Sequence, residues 1–259
     1  MPPGGLRDRY GPVALVTGAS SGIGEQYARI LAREGFNLLI TARREDALQA
    51  LQEQLQREHQ VVVNYVVCDL SDLSQVDTLI AQARLADIGL IVSNAGYGVR
   101  KGDYLDIPRS QLEAMYCANS IAPARIFHAL LPAQVERGRG GILCTGSIEG
   151  DAVFPYSTAY AASKAFLHSL VLGLWHELRD TGVDVMLLAP GSTDTNAPLS
   201  QGISREQLVG LMSAGEVAQQ ALQRLGKQPH FTPGMHNRLF VALLRLLPRK
   251  LAIRLAGYG

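Results

Sequence analysis

Apolar residues fall in short runs along this 259-residue chain: VALVT at 13–17, NLLIT at 37–41, VVVNYVV at 61–67, IGLIVS at 88–93, GILCTG at 141–146 and VDVMLLA at 183–189. Between successive runs lie segments of helical periodicity, each long enough for a crossover. Such alternation predicts an α/β fold in three layers, a doubly wound parallel sheet with helices on both faces and ligands at the carboxyl ends of the strands. The pattern changes beyond about residue 232. In HNRLFVALLRLLPRKLAIRLAGYG, leucines and arginines alternate at helical spacing, which predicts a C-terminal amphipathic helical extension over about 235–257, broken or kinked at Pro248. It either packs on its own core or on a partner subunit, or it lies on an anionic membrane or covers an apolar substrate entrance. Ser213 and Glu216 have the spacing of a capping box, and the segment from Ser192 to Ser213 before them is the expected mobile stretch.

Composition narrows the function classes. With 47% hydrophobic residues, the length suits a single domain over 1–259. A net charge of +1 leaves no whole-chain footprint for nucleic acid. Cys68, Cys117 and Cys144 are far apart in apolar contexts, which predicts buried free thiols in a reducing cytoplasm. The histidines show no ligand spacing, so no metal site is expected. The first residues lack an apolar leader core, and no run reaches the ~18 apolar residues of a membrane span. The expected location is cytoplasmic, with peripheral membrane contact through the extension as the alternative.

Two motifs carry chemistry. The first is TGASSGIG at 17–24, between a strand and an amphipathic helix. Gly18 allows a tight turn, Gly22 lets backbone approach a ligand, Gly24 permits helix–strand packing, and the helix N-terminus offers free amides to a pyrophosphate. The spacing is Gly-x-x-x-Gly-x-Gly rather than G-x-G-x-x-G, and a purely structural turn is the alternative. At the end of the second run, ITARRED, Ala42 stands where a carboxylate would hold a ribose diol. Arg43 and Arg44 follow and suit a 2'-phosphate, which points to NADP(H), with Arg43 the first choice. Solvated charges at a helix start are the other reading. The second motif is Tyr160 with Lys164 one helical turn on, and Ser147 thirteen residues before. An adjacent ammonium is expected to lower the phenol's pKa, so that Tyr160 exchanges a proton with a substrate oxygen.

Together TGASSGIG, SNAG at 93–96, Asn119, Ser147, Tyr160 with Lys164, and PGSTDT at 190–195 resemble the short-chain dehydrogenase/reductase family, and the resemblance covers a domain core at about 11–232. The resemblance implies a Rossmann-type fold, a nicotinamide cofactor and reversible carbonyl-to-alcohol chemistry. It implies catalytic roles for four residues: Tyr160 as general acid/base, Ser147 as hydrogen-bond donor to the substrate oxygen, Lys164 on the tyrosine and the ribose, and Asn119 holding a water that links lysine to solvent. It further implies cofactor contacts from Gly18, Ser20, Ser21, Gly22, Ile23 and Gly24, from Asp69 and Leu70 at the adenine, from Asn94, Ala95 and Gly96, and from Pro190, Gly191, Thr193 and Thr195. Asp69 serves equally as a helix cap. The family's common serine pair is here Gly146 and Ser147, which leaves one hydroxyl. Tyr97, Glu149, Phe154 and Tyr156 are the expected substrate contacts, in an apolar cleft. The alternatives to a reductase of free ketones or aldehydes are a 3-oxoacyl thioester reductase and a non-catalytic NADP-binding sensor. Family members often form dimers and tetramers through the helices that carry Asn119 and Tyr160, so a homodimer or homotetramer is expected.

Overall fold

A computed structural model describes residues 5–195, 202 and 210–257. Every apolar run becomes a strand: β1 (Val13–Thr17), β2 (Asn37–Ala42), β3 (Val63–Val67), β4 (Leu90–Ser93), β5 (Gly140–Thr145) and β6 (Val183–Leu188). Three two-residue strands follow, β7 (Thr193–Asp194), β8 (Met212–Ser213) and β9 (His230–Phe231). The main sheet is parallel, in the order β3-β2-β1-β4-β5-β6-β9. Its register pairs Thr17 with Thr41, Ser93 with Cys144 and Thr145 with Leu188, so the carboxyl ends of the central strands finish along one edge.

The helices are α1 (Leu6–Tyr10), α2 (Gly22–Arg33), α3 (Glu45–His59), α4 (Leu73–Leu85), α5 (Arg109–Tyr116), α6 (Ala122–Glu136), α7 (Thr158–Glu177), α8 (Ala214–Arg224), α9 (Met235–Leu246) and α10 (Arg249–Ala256). Two buried clusters divide at the sheet. Tyr27, Leu31, Leu48, Leu55, Val217 and Ala221 place α2, α3 and α8 on one face. Val76, Leu79, Phe127, Leu130, Leu167 and Val171 place α4, α6 and α7 on the other. β4 and β5 are buried along their whole length, as strands covered on both faces must be.

The C-terminal extension folds as two helices parted at Pro248, where a missing N–H and a fixed φ end α9 and start α10. α9 buries Asn237, Val241 and Leu244 against its own chain and brings the Phe240 ring to 6.2 Å from Phe154. Leu239, Leu243 and Leu246 remain exposed. No helix among the described residues is long and apolar enough to cross a membrane. The Ser213–Glu216 capping box forms at the start of α8. β7 and β8 pair the ends of the Ser192–Ser213 segment, whose residues 196–201 and 203–209 lie outside the described residues.

Candidate active site

The glycine turn follows β1 and is shaped for close approach. A Cβ on Gly18 would stand 2.9 Å from the Ala95 Cα, one on Gly22 2.9 Å from the Thr195 Cγ2, and one on Gly24 would collide with the Gly18 carbonyl. Gly18 and Gly22 also take positive φ, which other residues reach at a cost. Ser21 precedes α2 without capping it through its side chain, so the first amides of that helix stay available to an anion. Ile23 packs on the adjoining core. The Thr17 hydroxyl accepts from the amides of Asn94 and Ala95, each at 3.0 Å, which ties the NAG segment to the turn. The loop after β6 meets the same place through Thr195, and Thr193 donates to the Gly191 carbonyl.

Both candidate phosphate-binding arginines lie beside this cradle. Arg44 donates to the Ser20 carbonyl at 2.8 Å, and the Arg43 guanidinium stands 5.6 Å from the centre of the Tyr97 ring. Neither forms an ion pair with a carboxylate among the described residues. Tyr97, expected at the substrate, thus packs beside Arg43. The carboxylate of Asp69 accepts from the amide and hydroxyl of Ser71, while the cap of α4 is Asp72, whose carboxylate accepts from Ser74 N. Leu70, expected to flank the adenine, is buried in the core.

Four predicted catalytic residues converge from β5, α7 and the start of α6. A π-helical turn at Cys117–Ile121 aims Asn119 inward, fully buried. Its side-chain oxygen accepts from the Tyr97 amide at 3.0 Å, and its amide donates to the Tyr97 carbonyl and to Ser163 Oγ. These bonds make Asn119 a clamp between the NAG loop and α7. The Lys164 ammonium, 5.7 Å from the centre of the Tyr160 ring, donates to the Thr145 carbonyl at 3.1 Å. A side chain on Gly96 would crowd both Lys164 Nζ and Asn119 Oδ1, so the glycine makes room for their approach. Ser147 Oγ accepts from the Glu149 amide and lies within hydrogen-bonding reach of the Tyr160 phenol.

One expectation is reversed. Burial pushes the Tyr160 phenol above its ordinary pKa, the Glu149 carboxylate adds to this, and the Ser147 hydroxyl only partly offsets them. Burial also lowers Lys164, to about 8. For each group, desolvation of its charged form is the largest cause.

The predicted substrate residues stand on the loop after Ser147. Glu149 accepts a short hydrogen bond from Ser157 Oγ and pairs with Lys101 at 3.5 Å. Tyr156 is exposed with φ of 63°, its carbonyl held by the Gly102 amide. Phe154 meets Phe240 of the extension. Pro190 accepts from the Ile148 amide, and a side chain on Gly191 would collide with the buried Asn237. Loops on both sides of the catalytic set thus pack on α9.

Sequence reasoning passed over a neighbouring cluster. Asp151 Oδ1 stands 3.3 Å from His168 Nδ1 and accepts from Arg245 at 2.7 Å, while Asp151 Oδ2 lies 3.3 Å from His230 Nε2 without hydrogen-bond alignment. Donor atoms of Asp151, His168 and His230 lie within 4.8 Å of one another, a spacing a small cation can use, but the Arg245 guanidinium already balances the carboxylate. The available signal was His168 itself, one turn beyond Lys164 on the stripe of α7 that carries Tyr160. Asp151, His230 and Arg245 are too far away in sequence for any spacing to show.

The pattern of the short chain dehydrogenase family matches residues 12–205. The 7beta-hydroxysteroid dehydrogenase of Clostridium sardiniense is 31% identical over 234 residues, covering 90% of this chain and 89% of the relative. A solved structure from work on 7beta-hydroxysteroid dehydrogenase stereoselectivity superposes with a TM-score of 0.90 at 26% identity, covering 98% of this chain and 99% of the other. A short-chain dehydrogenase from Sphingobium yanoikuyae in complex with NADPH does so with a TM-score of 0.83 at 30% identity, over 92% and 96%. The glycine turn, the buried lysine and the serine–tyrosine pair stand in a chain that belongs to the short-chain dehydrogenase family.

Proposed function

We propose that this protein interconverts a bulky apolar ketone and its secondary alcohol using NADP(H), with a hydroxysteroid as the first substrate class to test. The carrying observation is the roof over the catalytic loop: Phe240 against Phe154 and Asn237 against Gly191 bring the extension beside Ser147 and Tyr160. The likeness to the hydroxysteroid structure extends over 98% of the chain, extension included. Arg43 and Arg44, which have no carboxylate partner among the described residues, support a 2'-phosphate and hence NADP(H) over NAD(H).

When bound, the nicotinamide supplies or accepts hydride. The free amides at the start of α2 would hold its pyrophosphate, and Lys164, a buried ammonium that donates to the Thr145 carbonyl, would offer its remaining donors to a ribose. Tyr160, protonated at neutral pH, donates its proton to the carbonyl oxygen during reduction. The Ser147 hydroxyl donates to the same oxygen as negative charge develops. Asn119 keeps the NAG loop and α7 in register beneath these groups, and water held beside it is proposed to return the proton.

The thioester reading is weaker. A carrier-bound substrate wants a basic landing surface, yet Arg125 pairs with Asp77 at 2.8 Å and Arg137 pairs with Asp87. For assembly we propose a homodimer through α6 and α7, where Ile121 and Val135 are exposed along a groove that includes Leu131, Leu170 and Leu174, and where α7 also exposes Phe166 and Trp175.

The test measures NADPH and NADH oxidation with 7-oxosteroids, cyclic ketones, aliphatic aldehydes and 3-oxoacyl thioesters. The expected result is NADPH-dependent turnover of bulky ketones, reduced at least about a hundredfold in Tyr160→Phe with NADPH affinity nearly unchanged. Full turnover in that variant would overturn the mechanism, and a preference for NADH would remove the role given to the arginines.

A further inference from the structure

We propose that His168 is a positioning residue for Ser147, and that Asp151, with Arg245 and His230 behind it, ties the catalytic serine to the C-terminal part of the chain. This rests on the reading of Ser147 as a catalytic hydroxyl. β5 ends at Thr145, and the amides of Gly146 and Ile148 continue to β6 and its loop, donating to the carbonyls of Leu188 and Pro190. The Ser147 amide between them faces away from that strand. Its acceptor is His168 Nε2 at 3.4 Å, and both residues are more than nine-tenths buried. A buried backbone N–H needs a partner, and here the partner is one imidazole nitrogen.

That bond sets the tautomer. A nitrogen that accepts from Ser147 N carries no proton, so the proton of the neutral ring sits on Nδ1, facing Asp151 Oδ1 at 3.3 Å. The Asp151 side chain is 4% exposed. Burial works against its ionisation, but the His168 and His230 imidazoles beside it prevail and hold the carboxyl well below the usual range. The loop is cut to fit the ring: a Cβ on Gly150 would lie 2.6 Å from His168 Nε2, and one on Gly146 would collide with it. The imidazole therefore occupies the space that a second serine at position 146 would need. Arg245 from α9 and His230 from β9 approach the same carboxylate, so movement of the extension reaches Ser147 through two side chains.

The tether predicts a loss in kcat rather than in binding. His168→Asn keeps a donor near Nδ1 but removes the acceptor at Nε2, whereas His168→Gln sets an amide oxygen where Nε2 stood. With NADPH and a 7-oxosteroid, His168→Asn is expected to lose about tenfold in kcat, with KM and NADPH affinity within about twofold, and His168→Gln to recover most of it. Deuterium uptake in the peptide spanning Ser147 should be faster in His168→Asn and near wild type in His168→Gln. Arg245→Gln, a change at an exposed side chain, should move both readouts in the same direction by less, and it carries the test if the His168 variants do not fold. Unchanged kcat in His168→Asn, or equal losses in both His168 variants with exchange unaltered, would overturn the proposal. Ser147→Ala separates the two readings: it leaves the amide in place, so full turnover there refutes the catalytic role of the hydroxyl, while exchange still reports the bond to His168.

Discussion

A tyrosine and a lysine one turn apart invite a simple electrostatic reading, yet the environment of each decides its proton. Lys164 is enclosed by α7, β5 and the NAG loop and makes one hydrogen bond among the described residues, so burial disfavours its charged form. Because its folded pKa of about 8 lies below the unfolded value of ~10.4, the burial penalty is complete below pH 8 and is relieved as pH rises towards 10. The cofactor-free protein should therefore gain melting temperature relative to Lys164→Met between pH 7.5 and 10. A difference that stays flat across this range in thermal denaturation would contradict the assignment. Tyr160 shifts upward, so it keeps its proton well above neutrality. Sequence identified both residues but gave the tyrosine's shift the wrong sign, because adjacency is visible in a string and desolvation is not.

At the scale of elements, the segment between β5 and α7 shows how a departure from a family pattern has a local cause. Gly146 stands where a second serine is common, and the structure fills that space with His168 from α7. Gly146→Ala should destabilise the protein by about 1–3 kcal/mol through overpacking, measured by chemical denaturation. Adding His168→Ala should return part of that loss, and strict additivity of the two changes would show that they do not share the space. The six strands, the capping box at Ser213 and the break at Pro248 were all legible beforehand, since each depends on residues near one another in sequence. Tyr97 was not. It follows SNAG as a loop residue, and only the packing of β2 beside β4's neighbour β1 brings it under Arg43.

For the whole molecule, the two outer surfaces differ in what they offer. The groove of α6 and α7 should close in a dimer, and Leu170→Arg is expected to shift the sedimentation coefficient to that of a monomer; an unchanged assembly would exclude this face. The extension instead packs on the body at Asn237, Val241 and Leu244 and meets the catalytic loops. Sequence by itself determined the layered parallel fold, the glycine turn, the arginine pair and the serine–tyrosine–lysine set, because each follows from periodicity or from residue types at short spacing. Only the tertiary structure decided the placement of Tyr97, the proton affinity of Tyr160, the side on which the extension lies, and the joining of Asp151, His168, His230 and Arg245. These depend on burial and on contacts between elements distant along the chain, and neither quantity belongs to any residue until the chain is folded.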